Sequence, residues 1–275
     1  MILRRICVLL LCGLIAGGCI VYTVTFRFFD RPLSQSKQEE FQQRISLPNQ
    51  FTLAASVNSV DTVKNTLESA RKNVRDGAYA LELNVTYAED GTLYLADGPE
   101  YLTEASVKLE SVFKDFRDSS YLRYILRLMN NTDKPTLVDL AVKYGLLGRV
   151  MLIGIAPENL EAYSEQYTNF MLCAQIDAGS VRMSDKDACI ELLQFCTNFG
   201  AGAVSCKQTD VTDTFRDALA ENGQLRFVLE DVDSNYGMYY ALSLNPNIII
   251  TPHPEILYNM MLSQDYLNLN KANTF

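Results

Sequence analysis

Two short apolar runs decide the fold class of this chain: Val150-Met151-Leu152-Ile153 in its middle and Ile248-Ile249-Ile250 near its C-terminus. Successive side chains of a strand point to opposite sides, so each run is apolar on both faces. Strands covered on both faces are typical of parallel sheets with helices packed around them. The two runs therefore predict an α/β protein.

Short β-rich segments of this kind recur along the chain, with helix-like segments between them. The predicted strands are Phe51–Ala55, Tyr79–Thr86, Tyr121–Met129, Arg149–Ile155, Asn169–Ile176, Ala201–Lys207, Leu225–Asp231 and Asn247–Thr251. The predicted helices are Val60–Asp76, Ser106–Phe116, Thr136–Tyr144, Pro157–Tyr167, Asp185–Phe199, Asp210–Glu221, Tyr236–Leu244 and Glu255–Leu262. Eight strands alternating with helices predict a (β/α)8 TIM barrel. An open doubly wound sheet is the alternative, but Ala54-Ala55-Ser56-Val57 is not the Gly-rich first turn that it needs.

Composition narrows the functional classes. The chain has 275 residues and a net charge of −9, which disfavours nucleic acid as a partner because phosphates require a positive patch. It has one histidine, His253, which limits acid–base chemistry at neutral pH. The cysteines of the predicted barrel form no CxxC pair or zinc pattern, and we expect them to be buried free thiols: Cys173, Cys189, Cys196 and Cys206.

The N-terminus predicts a membrane anchor. The run from Ile6 to Phe26 has 21 residues without a charge, and about 20 apolar residues cross a bilayer as a helix. A cleaved signal peptide, or lipidation at Cys19, is the alternative left open. We expect a single-pass protein of the cell membrane with the barrel outside the cytoplasm. The predicted organisation is an anchor (1–30), a polar juxtamembrane stalk (31–50), the barrel (51–265) and a tail (266–275).

Four segments resemble one known family. They are Asn65-Thr66-Leu67-Glu68-Ser69-Ala70, the strand Gly77–Thr86, the turn and strand Asp90–Asp97, and Ile249–Glu255. In this order they are similar to the helix start, Glu-x-Asp strand, Asp-Gly turn and closing segment of glycerophosphodiester phosphodiesterases. The resemblance implies a TIM barrel that hydrolyses glycerophosphodiesters with a divalent cation, Ca²⁺ or Mg²⁺, and two histidines.

The positions that carry the family's chemistry differ in this chain. The first histidine and the arginine after it fall at Ala55 and Ser56, and the second histidine falls at Ala96. Of the three metal carboxylates, Glu82 is kept, whereas Asn84 and Arg127 stand at the other two positions. The formal charges of these three side chains sum to zero, which does not suit a hard divalent cation. We therefore expect no metal, and we expect Arg127 to pair with Glu82 in its place.

Other polar residues are candidates for a degenerate pocket because strand C-termini carry function in barrels. They are Asp97, Lys207, Glu230 and His253, each of which could equally be a structural or solvated rim residue. The sequence thus predicts a pseudoenzyme that binds a polyol phosphate or a protein partner. The alternative is an active phosphoric diester hydrolase of lipid metabolism that uses non-standard catalytic residues.

Overall fold

The chain folds into a closed eight-stranded parallel barrel. The computed structural model describes residues 34–48, 51–57, 65–130, 135–177 and 183–263. The barrel strands, each close to its predicted bounds, are β1 (Thr52–Ser56), β2 (Ala80–Tyr87), β4 (Arg123–Leu128), β5 (Val150–Ile155), β6 (Met171–Gln175), β7 (Ala201–Lys207), β8 (Arg226–Glu230) and β9 (Ile248–Thr251). Strand β1 pairs in parallel with both β2 and β9, which closes the sheet. The predicted TIM barrel is confirmed.

One short strand was not predicted. Strand β3 (Leu93–Leu95) pairs antiparallel with the end of β2, so that a hairpin extends above the barrel. Strand β3 leads into Ala96 and Asp97. The hairpin holds these two residues beside β2, where the Ala96 N–H donates to the carbonyl of Asn84.

Helices surround the barrel. In the described part of the chain they are α1 (Gln35–Arg44), α2 (Leu67–Arg75), α3 (Leu109–Asp115), α4 (Thr136–Lys143), α5 (Leu160–Gln166), α6 (Lys186–Asn198), α7 (Asp213–Asn222), α8 (Asn235–Ser243) and α9 (Pro254–Ser263). Eight of them correspond to predicted helices. Where Val60–Asp76 was predicted, the helix begins at Leu67 with Thr66 as its N-cap, because the Thr66 hydroxyl accepts a hydrogen bond from the Ser69 N–H.

Side-chain alternation divides the strand residues between two cores. One set fills the barrel interior: Ala54, Ala80, Ile125, Met151, Ile153, Cys173, Ala203, Val228, Ile248 and Ile250. The larger set lies between strands and helices and includes Leu81, Leu126 and Cys206. Cys173, Cys189, Cys196 and Cys206 are buried and form no disulfide with one another, as predicted.

Residues 34–48, which fall within the predicted polar stalk, pack against the barrel domain. Helix α1 packs against α8, and Phe41 is buried between Tyr236 and Tyr240. After α1, the Ser46 N–H donates to the side-chain oxygen of Asn245, just before β9. The Gln-rich sequence showed little sign of this packing, because its apolar residues are few: Phe41, Ile45 and Leu47.

The predicted membrane span, Ile6 to Phe26, lies outside the described residues, as does the predicted tail 266–275. In the part of the chain that the structure describes, no helix combines the length and apolar character needed to cross a bilayer.

Candidate functional site

The mouth of the barrel is formed where the strands end, and alternation decides which side chains face it. Above the interior apolar layer, β2 continues inward from Ala80 to Glu82, and β4 continues from Ile125 to Arg127. Strands β6 and β8 do the same with Gln175 and Glu230, which follow the interior residues Cys173 and Val228 by two. Four strands therefore bring polar side chains to the mouth, although not all at the same height.

These four side chains form the Arg127 cluster: Arg127, Glu82, Glu230 and Gln175. The Arg127 Nη2 atom donates to Glu230 Oε2 in a short contact and lies 3.5 Å from Glu82 Oε1. Its Nη1 atom donates to Gln175 Oε1 at 2.8 Å. The guanidinium thus bridges three strands of the barrel, and it binds Glu230 more closely than the expected partner Glu82.

The strand register explains this preference. Arg127 was expected to pair with Glu82, but its Cα partner on β2 is Asn84, and Glu82 is the Cα partner of Ile125. Arg127 therefore starts one inward-facing level above Glu82. From there its side chain reaches across the mouth to Glu230, while Glu82 contacts the guanidinium from below at the limit of a hydrogen bond.

Gly154 on β5 makes room for the guanidinium. Its φ is +80°, in the left-handed region that favours glycine, and the β5–β6 pairing shifts register between Leu152 and Ile155. A Cβ atom at Gly154 would overlap the Nη1 atom of Arg127. The conformation of β5 and the position of Arg127 are therefore linked.

Burial and charge act together on the cluster. Burial raises the pKa of Glu82, and Arg127 offsets part of that rise. Burial alone would lower the pKa of Arg127, but Glu230 and Glu82 outweigh it, and the pKa of Arg127 is raised. One carboxylate oxygen, Oε1 of Glu230, is buried without a hydrogen-bond partner among the described residues. The cluster thus has one guanidinium, two carboxyl groups and an unused acceptor.

A second polar group lies beside the cluster, around Asp97. The Asn84 amide donates to Asp97 Oδ1 at 2.8 Å, and the Asn65 amide donates to the same oxygen at 3.3 Å. Asn65 has a φ of 56°, which Asn tolerates better than most residues. The Oδ1 atoms of Asn65 and Asn84 are buried, with no partner in the described part of the chain. The two amide oxygens are therefore available to accept hydrogen bonds from a ligand that has hydroxyl or N–H groups.

A cavity of about 320 Å³ adjoins the Asp97 group. Asn65, Asp97 and Ala96 line one side, and Tyr101 and Val107 from the loop after β3 line the other. Its walls combine a carboxylate and an amide with apolar surface, which is typical of a site for a small, hydroxyl-bearing ligand. Ala96, where the resemblance placed a histidine, contributes only a methyl group to this lining.

The other predicted residues lie at different places. Ser56, rather than Ala55, faces the mouth: its hydroxyl is hydrogen-bonded to Glu82, whereas Ala55 lies on the opposite face of β1 from the interior residue Ala54. Lys207 lies on the exposed rim, 3.3 Å from Asp231. His253 follows β9, and its backbone N–H donates to the Thr251 hydroxyl. The contacts that define the Arg127 cluster include neither Lys207 nor His253.

The residues present do not fit a divalent cation. The guanidinium of Arg127 lies against Glu82, where a metal would need a third oxygen ligand, and Asn84 is turned toward Asp97. No group of three or more His, Cys, Asp or Glu side chains in the described residues is placed to hold a metal. The carboxylate of Glu82 is neutralised by an arginine instead.

Three residues of the site were not singled out from the sequence. Gln175 and Gly154 contact Arg127, and Asn65 orients Asp97. The inward orientation of Gln175 could have been predicted from the sequence, because Gln175 follows the interior residue Cys173 by two at the end of a strand. The role of Gly154 could not have been predicted, since it depends on a side chain from another strand.

Comparisons with known proteins agree with the geometry of the barrel. No family model matches the sequence, and no curated protein matches it. Solved structures do match. A glycerophosphodiester phosphodiesterase from Agrobacterium tumefaciens is 12% identical over 76% of this chain and 99% of its own, with a TM-score of 0.60. One from Parabacteroides distasonis is 14% identical over 78% of this chain and 98% of its own, with a TM-score of 0.63.

An Oleispira antarctica phosphodiesterase, solved in complex with the product sn-glycerol-3-phosphate, is also similar. It is 9% identical, covers 80% of this chain and 98% of its own, and has a TM-score of 0.58. Matches at this identity establish architecture, and function is decided by the site. The chain therefore has the TIM-barrel fold of the solved glycerophosphodiester phosphodiesterases.

Proposed function

We propose that this chain is a membrane-anchored, catalytically degenerate barrel of the glycerophosphodiester phosphodiesterase type, which binds a ligand or partner without hydrolysing it. The fold and the order of the four sequence segments support the family. The 21-residue uncharged run at the N-terminus supports the anchor.

The single observation that best supports the proposed loss of activity is the position of Arg127. Its guanidinium is bound to Glu82 and Glu230, which leaves the carboxylates without the charge that a catalytic metal requires. The two expected histidine positions reinforce this reading. Neither Ala55, on β1, nor Ala96, beside the cavity, provides an imidazole for general acid–base catalysis.

The experiment is hydrolysis of a generic phosphodiester, bis(p-nitrophenyl) phosphate, and of glycerophosphocholine by the full-length protein. Calcium and magnesium are added in separate series. General acid–base groups contribute roughly 10²–10⁴-fold each, so with both absent we expect turnover indistinguishable from buffer. The control is the matched variant Glu82→Gln. Metal-dependent turnover that this variant abolishes would show an active enzyme and refute the proposal.

For the ligand we propose a polyol phosphate or a protein partner that reaches the mouth. The cavity beside Asp97 suits the hydroxyl groups of a polyol, which would donate to the unused acceptors of Asn65 and Asn84. A phosphate at Arg127 has to compete with Glu82 and Glu230. Because burial raises the pKa of Glu82, acidification neutralises this competitor, and glycerol 3-phosphate should bind more tightly as the pH falls.

The active-enzyme alternative is favoured by one observation. A buried carboxyl with a raised pKa, such as Glu82, is the kind of group that donates a proton in catalysis. If the barrel were a phosphoric diester hydrolase without a metal, Glu82 would be its acid. The hydrolysis series without added metal tests this directly, since turnover there that is lost in Glu82→Gln would favour the alternative.

A further inference from the structure

The direction in which the chain enters the barrel is fixed by helix α1. In a (β/α)8 barrel the helices run antiparallel to the strands, so α8 begins at the mouth with Asn235 and ends near the opposite face with Ser243. Phe41 of α1 contacts Tyr236 and Tyr240 in the first turns of α8. Past α1, Ser46 reaches Asn245 beyond the end of α8. Helix α1 therefore runs in the same direction as α8.

The start of α1 must then lie on the mouth side. Phe41 lies beside the first turns of α8, and six further residues of α1 precede it from Gln35. At 1.5 Å per residue these extend roughly 9 Å above Phe41 along the helix, to the height of the mouth. The carbonyl of Arg44, at the other end of α1, accepts a hydrogen bond from the Asn245 side chain near the opposite face.

From this geometry we propose that the mouth of the barrel faces the lipid bilayer, so that its partner surface is the layer of lipid headgroups. The proposal rests on the N-terminal anchor of the proposed function. The uncharged run ends at Phe26, and α1 is preceded by Ser34, eight positions later. Eight extended residues span at most about 29 Å, so the rim is held near the membrane.

The opposite orientation is disfavoured by the same short connection. To turn the mouth away from the bilayer, the connector would have to pass back along α1 and around the far face of the barrel. The length of the ten residues of α1, roughly 15 Å, takes up about half of the connector's reach of about 29 Å before the far face is crossed. With the mouth toward the membrane, the first residue of α1 already lies on the side of the bilayer.

Headgroup contact also gives the cavity a source of ligand. The space beside Asp97 opens at the level of the mouth, and its Tyr101 side chain is 62% exposed. A polyol or phosphodiester headgroup presented by the bilayer would reach this rim without leaving the membrane. We therefore expect the ligand to be a lipid headgroup at the bilayer surface.

The test uses the absence of tryptophan from the chain. Single-tryptophan probes are placed by Tyr101→Trp on the mouth side and by Phe195→Trp in the last part of α6; both parent side chains are exposed aromatics. Phe195 lies roughly 14 Å below the first residue of α6. The full-length variants are reconstituted into phosphatidylcholine vesicles that carry a dansyl-labelled phosphatidylethanolamine, and energy transfer from tryptophan to dansyl is measured.

We expect at least about a twofold larger loss of donor emission for Tyr101→Trp than for Phe195→Trp, given the difference in height of roughly 14 Å or more. A control insertion of about 20 Gly/Ser residues after Asp30 should keep vesicle binding but remove most of the difference, because such a linker is flexible. Equal or reversed transfer without the insertion would overturn the orientation.

Flotation of the same vesicles separates the two proposals. If the protein does not float with the vesicles, the anchor fails, and the orientation fails with it. If the protein floats but the two probes transfer equally, the orientation alone is wrong and the anchor stands.

Discussion

Removing Arg127 is the sharpest test of the site, because this one side chain joins three strands of the barrel. In Arg127→Ala, Glu82 and Glu230 lose their shared cation, and Gln175 loses its donor. The side chains of Glu82 and Glu230 are only 9% and 12% exposed, so water has little access to them. Two buried carboxyl groups would then lie in the mouth without a counter-charge.

The structure sets the size of the effect. Removing one partner of a buried ion pair costs about 3–5 kcal/mol, whereas an exposed pair contributes about 0–1 kcal/mol. The Arg127 side chain is 22% exposed, and its removal admits some water, so we expect the lower end, about 3 kcal/mol at neutral pH.

The loss of folding stability in Arg127→Ala should depend on pH, and its direction can be worked out from the pKa of Glu82. Burial already raises the folded-state pKa of Glu82, and removing Arg127 takes away a charge that lowers it, so this pKa should rise further above its unfolded value. A carboxyl whose pKa is raised on folding is tolerated while protonated, so the loss is small below the unfolded pKa. It grows as the pH rises through the folded pKa.

The assay is urea unfolding followed by circular dichroism at several pH values. Arg71→Ala, which removes an arginine paired with Asp115 at the surface, is the matched control and should change stability far less. A third variant combines Arg127→Met with Glu82→Gln and Glu230→Gln. It should recover most of the loss, because the uncompensated charges are removed with the cation.

Two results would refute this reasoning. If Arg127→Ala cost no more than Arg71→Ala, the carboxylates would have to be well solvated. If Arg127→Ala lowered the free energy of unfolding by the same amount at low and neutral pH, packing rather than charge would hold Arg127 in place.

Further changes probe other parts of the chain. Arg127→Glu should create a weak calcium site, with a dissociation constant of about 10⁻³ M by calorimetry, since three carboxyl groups and a neutral Asn84 would meet there; no heat of binding would count against it. Phe41→Ala should cost about 3 kcal/mol in urea unfolding because Phe41 is buried, whereas Gln43→Ala should have little effect; equal effects would mean that α1 is not docked. Gly154→Ala should destabilise the barrel and displace Arg127, but in the Arg127→Ala background it should cost less; additive effects would argue against coupling.

The barrel could be predicted because its signals are local. Runs such as Val150–Ile153 are apolar on both faces, and this property reflects the environment of the strand directly. Helix α1 could not be predicted in this way. Its burial depends on Phe41 meeting Tyr236 and Tyr240, which lie about two hundred positions away in sequence.

In the candidate site, too, contacts between distant segments were harder to predict than local features. Arg127 and Glu82 were paired through the resemblance, and the two side chains do meet, but the closer partner is Glu230. The closer contact with Glu230 follows from the register of β4 on β2, which sets Arg127 opposite Asn84, two residues beyond Glu82. A single sequence does not show the register between two strands. The environment of Asp97 was missed for a related reason, since Asn65 precedes α2 and lies 32 positions away in sequence.

The left-handed glycine of β5 makes the site sensitive to substitution at a position that has no side chain of its own. A Cβ atom at position 154 would overlap the Arg127 guanidinium, and a φ of +80° would strain any other L-residue there. The guanidinium is the end of a flexible side chain and can shift, so the backbone of β5 sets part of the cost of a side chain at position 154. Replacing Arg127 alone removes the steric contact but leaves this backbone strain in place.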